Sequence, residues 1–423
     1  MSIHKVLTSL FLLQFALSSF ADPLPRAEPE EVGMSSARLA RITTTFKAEV
    51  DAGRIPGAVI AIARKGQLVY FDAIGYRDKA KNIPMTTDAI FYLASMTKPM
   101  VSVGAMMLYE EGQLLMTDSV SKYLAPLGQN PVAVLKNVDG KTVIDTVPAR
   151  REMTIQDLLR HTSGIPYGGR GSTPIHKMYP AGSAIASVTM TGEEFLAKLA
   201  SLPLLHQPGT VWDYSLSTDV LGLLLEAATE RKLGQFLHER LWGPLGMADT
   251  GFAIPQGKRN RVAQPLPTNP ETGKPQSIPV AMRPIKFDCG GACAVSTAGD
   301  YIRFAQMLLN RGRLGDARIL SRNTVEYMTA NHLGPEIENR LPRDFRLLGG
   351  YGFGLGVAVR GQAGVASING SVGDYSWTGA FGTRFWVDPK EQLAVVFMSQ
   401  AFQPINTHNG QLLAALVYQA IAD

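Results

Sequence analysis

The chain has 423 residues but only two cysteines, Cys289 and Cys293. Two cysteines cannot build a disulfide scaffold, so a small stapled fold is excluded. Histidine is scarce too, at seven, and none lies in HExxH or beside the cysteines, so a zinc site is not expected. The GxSxG elbow of α/β-hydrolases, the dinucleotide loop GxGxxG and the phosphate loop GxxxxGK[ST] are missing. Charged residues make up 18%, below the roughly 25% usual in globular proteins. The net charge of +5 is small for this length, and no dense Lys/Arg block interleaves with aromatics. Nucleic acid is therefore not an expected partner. No apolar run beyond the N-terminus is long enough for a membrane span. With 45% hydrophobic residues, the chain has ample material for a large core, and wholesale disorder is excluded.

Residues 1–21 read as a secretory signal. Lys5 supplies a positive start, Leu7 to Phe20 an apolar stretch, and Ser19-Phe20-Ala21 small residues for cleavage before Asp22. An uncleaved anchor is the alternative, but the run is shorter than the roughly 20 residues a span needs. The expected mature chain, 22–423, is then periplasmic or secreted, with no membrane attachment. Its oligomeric state is not legible.

Apolar residues at Leu39, Ile42, Phe46 and Val50 predict a helix from Ser35 or Ser36 to about Ala52. Ala58–Ala63 and Gln67–Ile74 predict two strands joined at Arg64-Lys65-Gly66. A second strand-rich block covers Gly352–Arg360, Trp377–Val387 and Leu393–Ser399, followed by a helix over about Asn409–Ala422. Between them helices are predicted at Lys98–Glu111, Thr154–Arg160, Thr191–Ser201, Thr218–Arg231, Gly234–Trp242 and Ala298–Asn310. Thr154 and Asp157 form a capping pair, and Gly112 and Gly164 are stops. The expected fold is α/β (α+β): an antiparallel sheet built from both chain ends and flanked by helices, with an all-helical lobe inserted. The sheet lobe would take about 36–90 and 290–423, the helical lobe about 91–289, with a cleft between them. Ile165–Ser187 and Gln256–Phe287 remain as long irregular stretches, either at the cleft or on the surface.

The pattern SxxK occurs at Ser2/Lys5, Ser119/Lys122 and Ser95/Lys98, so alone it decides little. Context singles out Ser95. It follows the apolar run Ala89–Ala94 and opens a helix, so Lys98, three residues on, shares its face. Free N–H groups at a helix start favour developing negative charge. A desolvated lysine with a lowered pKa would take the serine's proton. A serine N-cap followed by a surface lysine fits the same local pattern.

The stretch FYLASMTKPMVSVGAMMLYEEGQL (Phe91–Leu114) resembles the active-serine segment of the serine β-lactamase and penicillin-binding-protein superfamily. It is most similar to the branch holding class C β-lactamases and family VIII carboxylesterases. LLRHTSGI (Leu158–Ile165), PGTVWDYSLSTDVLG (Pro208–Gly222), GPLGMADTGF (Gly243–Phe252), GGACAVSTAGDYIRF (Gly290–Phe304) and GDYSWTGAFGTRFWVDP (Gly373–Pro389) follow in the family's order. The resemblance implies the fold just read from periodicity, and a serine hydrolase without metal or organic cofactor. It implies Ser95 as the acylated nucleophile, Lys98 as its proton acceptor and Tyr214 as the proton shuttle. Trp377-Thr378-Gly379 stands where the lactamases have KTG. Gly379 would let that strand approach, and the Ala380 amide would join the Ser95 amide as an oxyanion hole, with each donor worth about 3 kcal/mol.

Two departures shift the expected substrate. Trp377 replaces the KTG lysine, and Leu216 replaces the asparagine of the YxN element, so neither can hold a carboxylate or an amide. With Trp377, Gly379 and Leu216 at the substrate, the resemblance points to a carboxylesterase acting on neutral, short-to-medium acyl esters. A β-lactamase, a D-alanyl peptidase, an acyltransferase and a non-catalytic penicillin-recognising protein are the alternatives. His161 is expected to be structural. Tyr167, Trp212, Phe287, Tyr351 and Phe381 fit an acyl pocket or ordinary core equally well. Cys289 and Cys293 fit a local disulfide or two buried thiols.

Overall fold

The computed structural model describes residues 22–139, 141–278 and 283–423. The expected signal, 1–21, and part of the second irregular stretch, at 279–282, lie outside the described residues.

The central strand, β1 (Gly57–Arg64), is buried along its whole length, with a different core on each face. Ala58, Ile60 and Ile62 pack with Phe46, Val50 and Leu413, whereas Val59, Ala61 and Ala63 join the core containing Ala298 and Ile302. This is the two-residue alternation of a strand sandwiched between two helical layers. Three strands from the N-terminal part, β1, β2 (Gln67–Asp78) and β3 (Ile83–Pro84), combine with five from the C-terminal part. The latter are β4 (Tyr351–Phe353), β5 (Ala358–Arg360), β6 (Tyr375–Thr378), β7 (Arg384–Asp388) and β8 (Leu393–Ser399). The order is β4-β5-β6-β7-β8-β1-β2-β3, and every pairing within this sheet is antiparallel. Within the strand-rich block, Trp377–Val387 is divided by the turn at Gly379–Thr383, which contains the punctuating Gly382, and Gly352–Arg360 folds as two short strands.

Helices α1 (Ser36–Asp51) and, at the chain end, α8 (Ile405–Tyr418) cover one sheet face. The Ser35 side chain caps α1 by accepting the Arg38 amide, and Gly112 takes left-handed backbone just past α2, whereas the helix ahead of Gly164 already ends at Leu159, with His161 in the left-handed region, so Gly164 is a loop residue and not the expected stop. On the other face lie α7 (Ala298–Leu309) and then the inserted helices. These are α2 (Thr97–Glu110), α3 (Ile155–Leu159), α4 (Ser183–Thr189), α5 (Gly192–Ala200) and α6 (Ser217–Thr229). The Thr154/Asp157 capping box opens α3. The insertion is not helical throughout. Val132–Val138 and Lys141–Val147 form an antiparallel hairpin, where β-branched residues such as Val132, Val134, Val143, Ile144 and Val147 favour extended backbone. Helix α4 likewise orders part of the stretch expected to be irregular. Among the described residues no helix is long and apolar enough to cross a membrane.

Candidate active site

Ser95 sits in a 3-10 turn, Ala94–Met96, that leads directly into α2. Ala94 takes a left-handed conformation, with φ 48°, which costs a residue with a side chain of order 1–3 kcal/mol unless its surroundings enforce it. They do. Thr97 Oγ1 donates to Ala94 O at 2.7 Å, the Ala294 amide donates to Thr97 Oγ1 at 3.1 Å, and Tyr301 Oη donates to Met96 O at 2.9 Å. Ser95 itself remains partly exposed on this pinned turn.

Helix α2 is buried on all sides from Thr97 to Leu108, so Lys98 in its first turn has no exposed surface. Its Nζ donates to Gly291 O at 2.6 Å, Tyr167 Oη at 3.1 Å and Ser95 Oγ at 3.4 Å. Three acceptors match the three donors of an ammonium. Burial drives that ammonium toward its neutral form, but Tyr167, Tyr214 and Asp219 outweigh burial and leave its pKa above the ordinary lysine value. This corrects the expectation of a lowered pKa: the electrostatics of the surrounding oxygens, invisible to a local motif, exceed desolvation.

A buried chain of hydrogen bonds extends from the lysine. Tyr167 Oη pairs with Ser183 Oγ at 2.9 Å, and Ser183 Oγ donates to Asp219 Oδ2 at 2.6 Å. The other oxygen of Asp219 accepts the Gly291 amide at 2.9 Å. The ring of bonds closes on the residue whose carbonyl receives Lys98. A Cβ at Gly291 would collide with Asp219 and Ser183, so this close approach requires glycine. A disulfide between Cys289 and Cys293 brackets that glycine. Burial pushes the Asp219 carboxyl up and the Tyr167 hydroxyl up to about 12.

Tyr214, nearly buried, accepts the Trp377 indole N–H at 3.3 Å, and Lys98 Nζ lies 4.7 Å from its ring centroid. The strand bearing Trp377 runs against the serine turn. Thr383 Oγ1 donates to Leu93 O at 3.0 Å, and a Cβ on Gly379 would strike that same carbonyl. The next residue, Ala380, is exposed, and its amide has no acceptor among the described residues.

Ser95, Lys98, Tyr214, Trp377 and the Gly379–Ala380 turn thus come together. Leu216 does not. It is fully buried in the main core at the start of α6, which removes it from contact with a substrate. Trp212, Phe287 and Tyr351 are also core residues, and Phe381 packs between Tyr92 and Phe402. His161 is buried, and its Nδ1 pairs with Ser215 Oγ at 2.8 Å. Burial, with Lys98 and Arg170 nearby, holds its pKa well below the ordinary value, so it stays neutral, and no carboxylate among the described residues bonds to it. Tyr167 belongs to the lysine's network instead of lining an acyl pocket. Ser183 and Asp219 had no recognisable signal, because their contact depends on α4 and α6 packing together.

Residues 42–419 match the profile of the Beta-lactamase family. The chain belongs to the Beta-lactamase family. It is 36% identical over 358 residues to protein Rv1367c of Mycobacterium tuberculosis, covering 83% of this chain and 87% of that one. Esterase EstB of Burkholderia gladioli is 29% identical, with 88% and 93% covered. The solved structure of EstCE1, described as a hydrolase with promiscuous acyltransferase activity, superposes with a TM-score of 0.73 at 27% identity, covering 90% of this chain and 99% of that one. The chain is therefore a hydrolase of the β-lactamase fold with esterase relatives, and the antiparallel sheet with its helical insertion is the fold of that family.

Proposed function

We propose that the chain is a serine carboxylesterase that cleaves short-to-medium acyl esters through an acyl-enzyme on Ser95. The observation that carries this reading is the buried Lys98 ammonium, fixed by three acceptors of which one is the Ser95 hydroxyl. Esterase relatives across most of the chain support it. So does Trp377, which puts an indole where a lactamase lysine would stand.

In the proposed reaction Ser95 Oγ attacks the ester carbonyl, and the Ala380 and Ser95 amides receive the oxyanion. Tyr214 hands its proton to the departing alkoxide and is refilled from Ser95. Trp377 holds the phenol oxygen in place, and Lys98 supplies the fixed positive charge beside the transfer. Water then attacks the acyl-enzyme, and the same groups return the proton to Ser95. Tyr167, Ser183 and Asp219 keep the lysine in register.

The test is hydrolysis of 4-nitrophenyl butyrate by wild type and Ser95→Ala side by side. Turnover by wild type and background rates in the variant are expected. Equal rates in both would remove Ser95 as the nucleophile. We also propose export. The pattern of residues 1–21 supports it, as does a disulfide that an oxidising compartment would preserve. Protein recovered from outside the cytoplasm should begin at Asp22.

A further inference from the structure

Cys289 and Cys293 flank the turn Gly290–Ala292, whose middle carbonyl accepts Lys98 Nζ at 2.6 Å, the shortest of that lysine's three bonds. The two ends of the bridge are not equivalent. Cys289 is sealed in the core, whereas Cys293 forms part of the wall of a cavity of about 380 Å³. Arg259 and Arg283 also line this cavity. Both are exposed, and neither has an ion pair with any described residue. One carboxylate lines it as well, that of Asp288, which accepts the Gly234 amide at 2.9 Å. The wall therefore sets two positive charges against one negative, beside one end of a disulfide.

Thiolates are the nucleophiles that open disulfides, and access decides which sulfur they strike. An entrance of net positive charge concentrates anionic reagents. A bridge between residues only four apart also gains little from chain entropy, so less opposes its opening. Opening has a consequence at the active site, because two separate thiols take more room than a bonded pair. The turn then spreads, and the Gly291 carbonyl and amide shift away from Lys98 and Asp219.

We propose that the cavity admits a small anionic thiol to Cys293, and that reduction of the bridge there lowers turnover. The thiolate attacks Cys293 Sγ and bonds to it. The electron pair of the broken bond leaves on Cys289 Sγ, which takes a proton from water. A second thiolate then attacks the reagent's sulfur in this mixed disulfide, releasing the reagent's own disulfide and a Cys293 thiolate that is protonated in turn. Two reagent thiols are oxidised, and the bridge gains two electrons. The effect on turnover rests on the esterase reading; the chemistry at Cys293 does not.

The test treats the oxidised full chain with anionic 3-mercaptopropionate, neutral 2-mercaptoethanol or cationic cysteamine, at equal thiolate concentration and low salt. Samples are trapped with N-ethylmaleimide for mass spectrometry, and hydrolysis of 4-nitrophenyl butyrate is assayed after the thiol is removed. Peptide mapping should find the mixed disulfide on Cys293. The anionic thiol should open the bridge about threefold faster than the neutral one, with cysteamine slowest, and Arg259→Gln/Arg283→Gln should erase that order. In step with labelling, kcat should fall about tenfold, as for a lost charge-assisted hydrogen bond, with KM little changed. Near-UV circular dichroism should stay native, and reoxidation should restore kcat. A bridge that resists thiols until urea is added, a mixed disulfide on Cys289, or equal rates for the three thiols would overturn the site. Full reduction with unchanged kcat, or with collapse of the near-UV signal, would overturn the effect on turnover and leave the esterase reading standing. Opening at Cys293 in the expected order, in a protein that hydrolyses no ester even when oxidised, would sink that reading and leave the thiol site standing.

Discussion

At the scale of single residues, the site depends on how a buried lysine is kept charged and pointed at a serine. Tyr167 supplies one of its three acceptors. A hydrogen bond to a charged group contributes about 1.5–3 kcal/mol, about 10- to 150-fold in rate if it is realised in the transition state. Tyr167→Phe should therefore lower kcat by about that factor with KM little changed, measured on 4-nitrophenyl butyrate. A rise in KM alone would mean that Tyr167 binds substrate and does not orient Lys98. His161 offers a second residue-scale prediction. Its folded pKa is depressed, so the stability it contributes is full above the unfolded value of about 6.5 and declines as pH falls below it. Each pH unit below that value costs about 1.4 kcal/mol while the folded imidazole remains neutral. The Tm advantage of wild type over His161→Asn should shrink between pH 7.5 and 5.5. An advantage constant across that range would contradict a buried neutral imidazole.

At the scale of elements, the Cys289–Cys293 disulfide closes the turn whose central carbonyl and amide serve Lys98 and Asp219. Cross-linking so short a loop contributes about 2 kcal/mol. The double variant Cys289→Ser/Cys293→Ser should lose about that much stability in urea unfolding. Its kcat should also fall, because a looser turn releases the lysine's strongest acceptor. Unchanged kcat with lowered stability would make the bridge purely structural. Helix α2 shows why the local reading stopped short. SxxK spacing is visible in sequence, since residues three apart share a helix face. That this helix is buried on every side, and that two further oxygens join Ser95 Oγ around its lysine, depends on α6, the loop bearing Tyr167 and the Gly290–Ala292 turn.

At the scale of the molecule, both ends of the chain meet in one sheet, and α8 covers the face containing Ile60, Ile62, Val395 and Phe397. Each such buried aliphatic or aromatic side chain contributes about 1.5–3 kcal/mol. Removing residues 405–423 uncovers several of them and also deletes Asp423, which pairs with Arg64 at 2.7 Å and Lys65 at 3.0 Å. The truncated chain should lose its near-UV circular dichroism and its cooperative thermal transition. Retention of both would show that the sheet is stable with one helical layer.

Sequence alone was enough for the elements and for the motif order. Strand alternation, helix caps and glycine stops are encoded within a few residues of where they act. The Ser95/Lys98 pair is legible for the same reason. The protonation of Lys98, the linking of Tyr167, Ser183 and Asp219, the burial of Leu216 and the gathering of Arg259 and Arg283 beside Cys293 were decided only by tertiary structure. Each arises from groups far apart in the chain, and desolvation and Coulomb energies depend on distances in space that no spacing in sequence records.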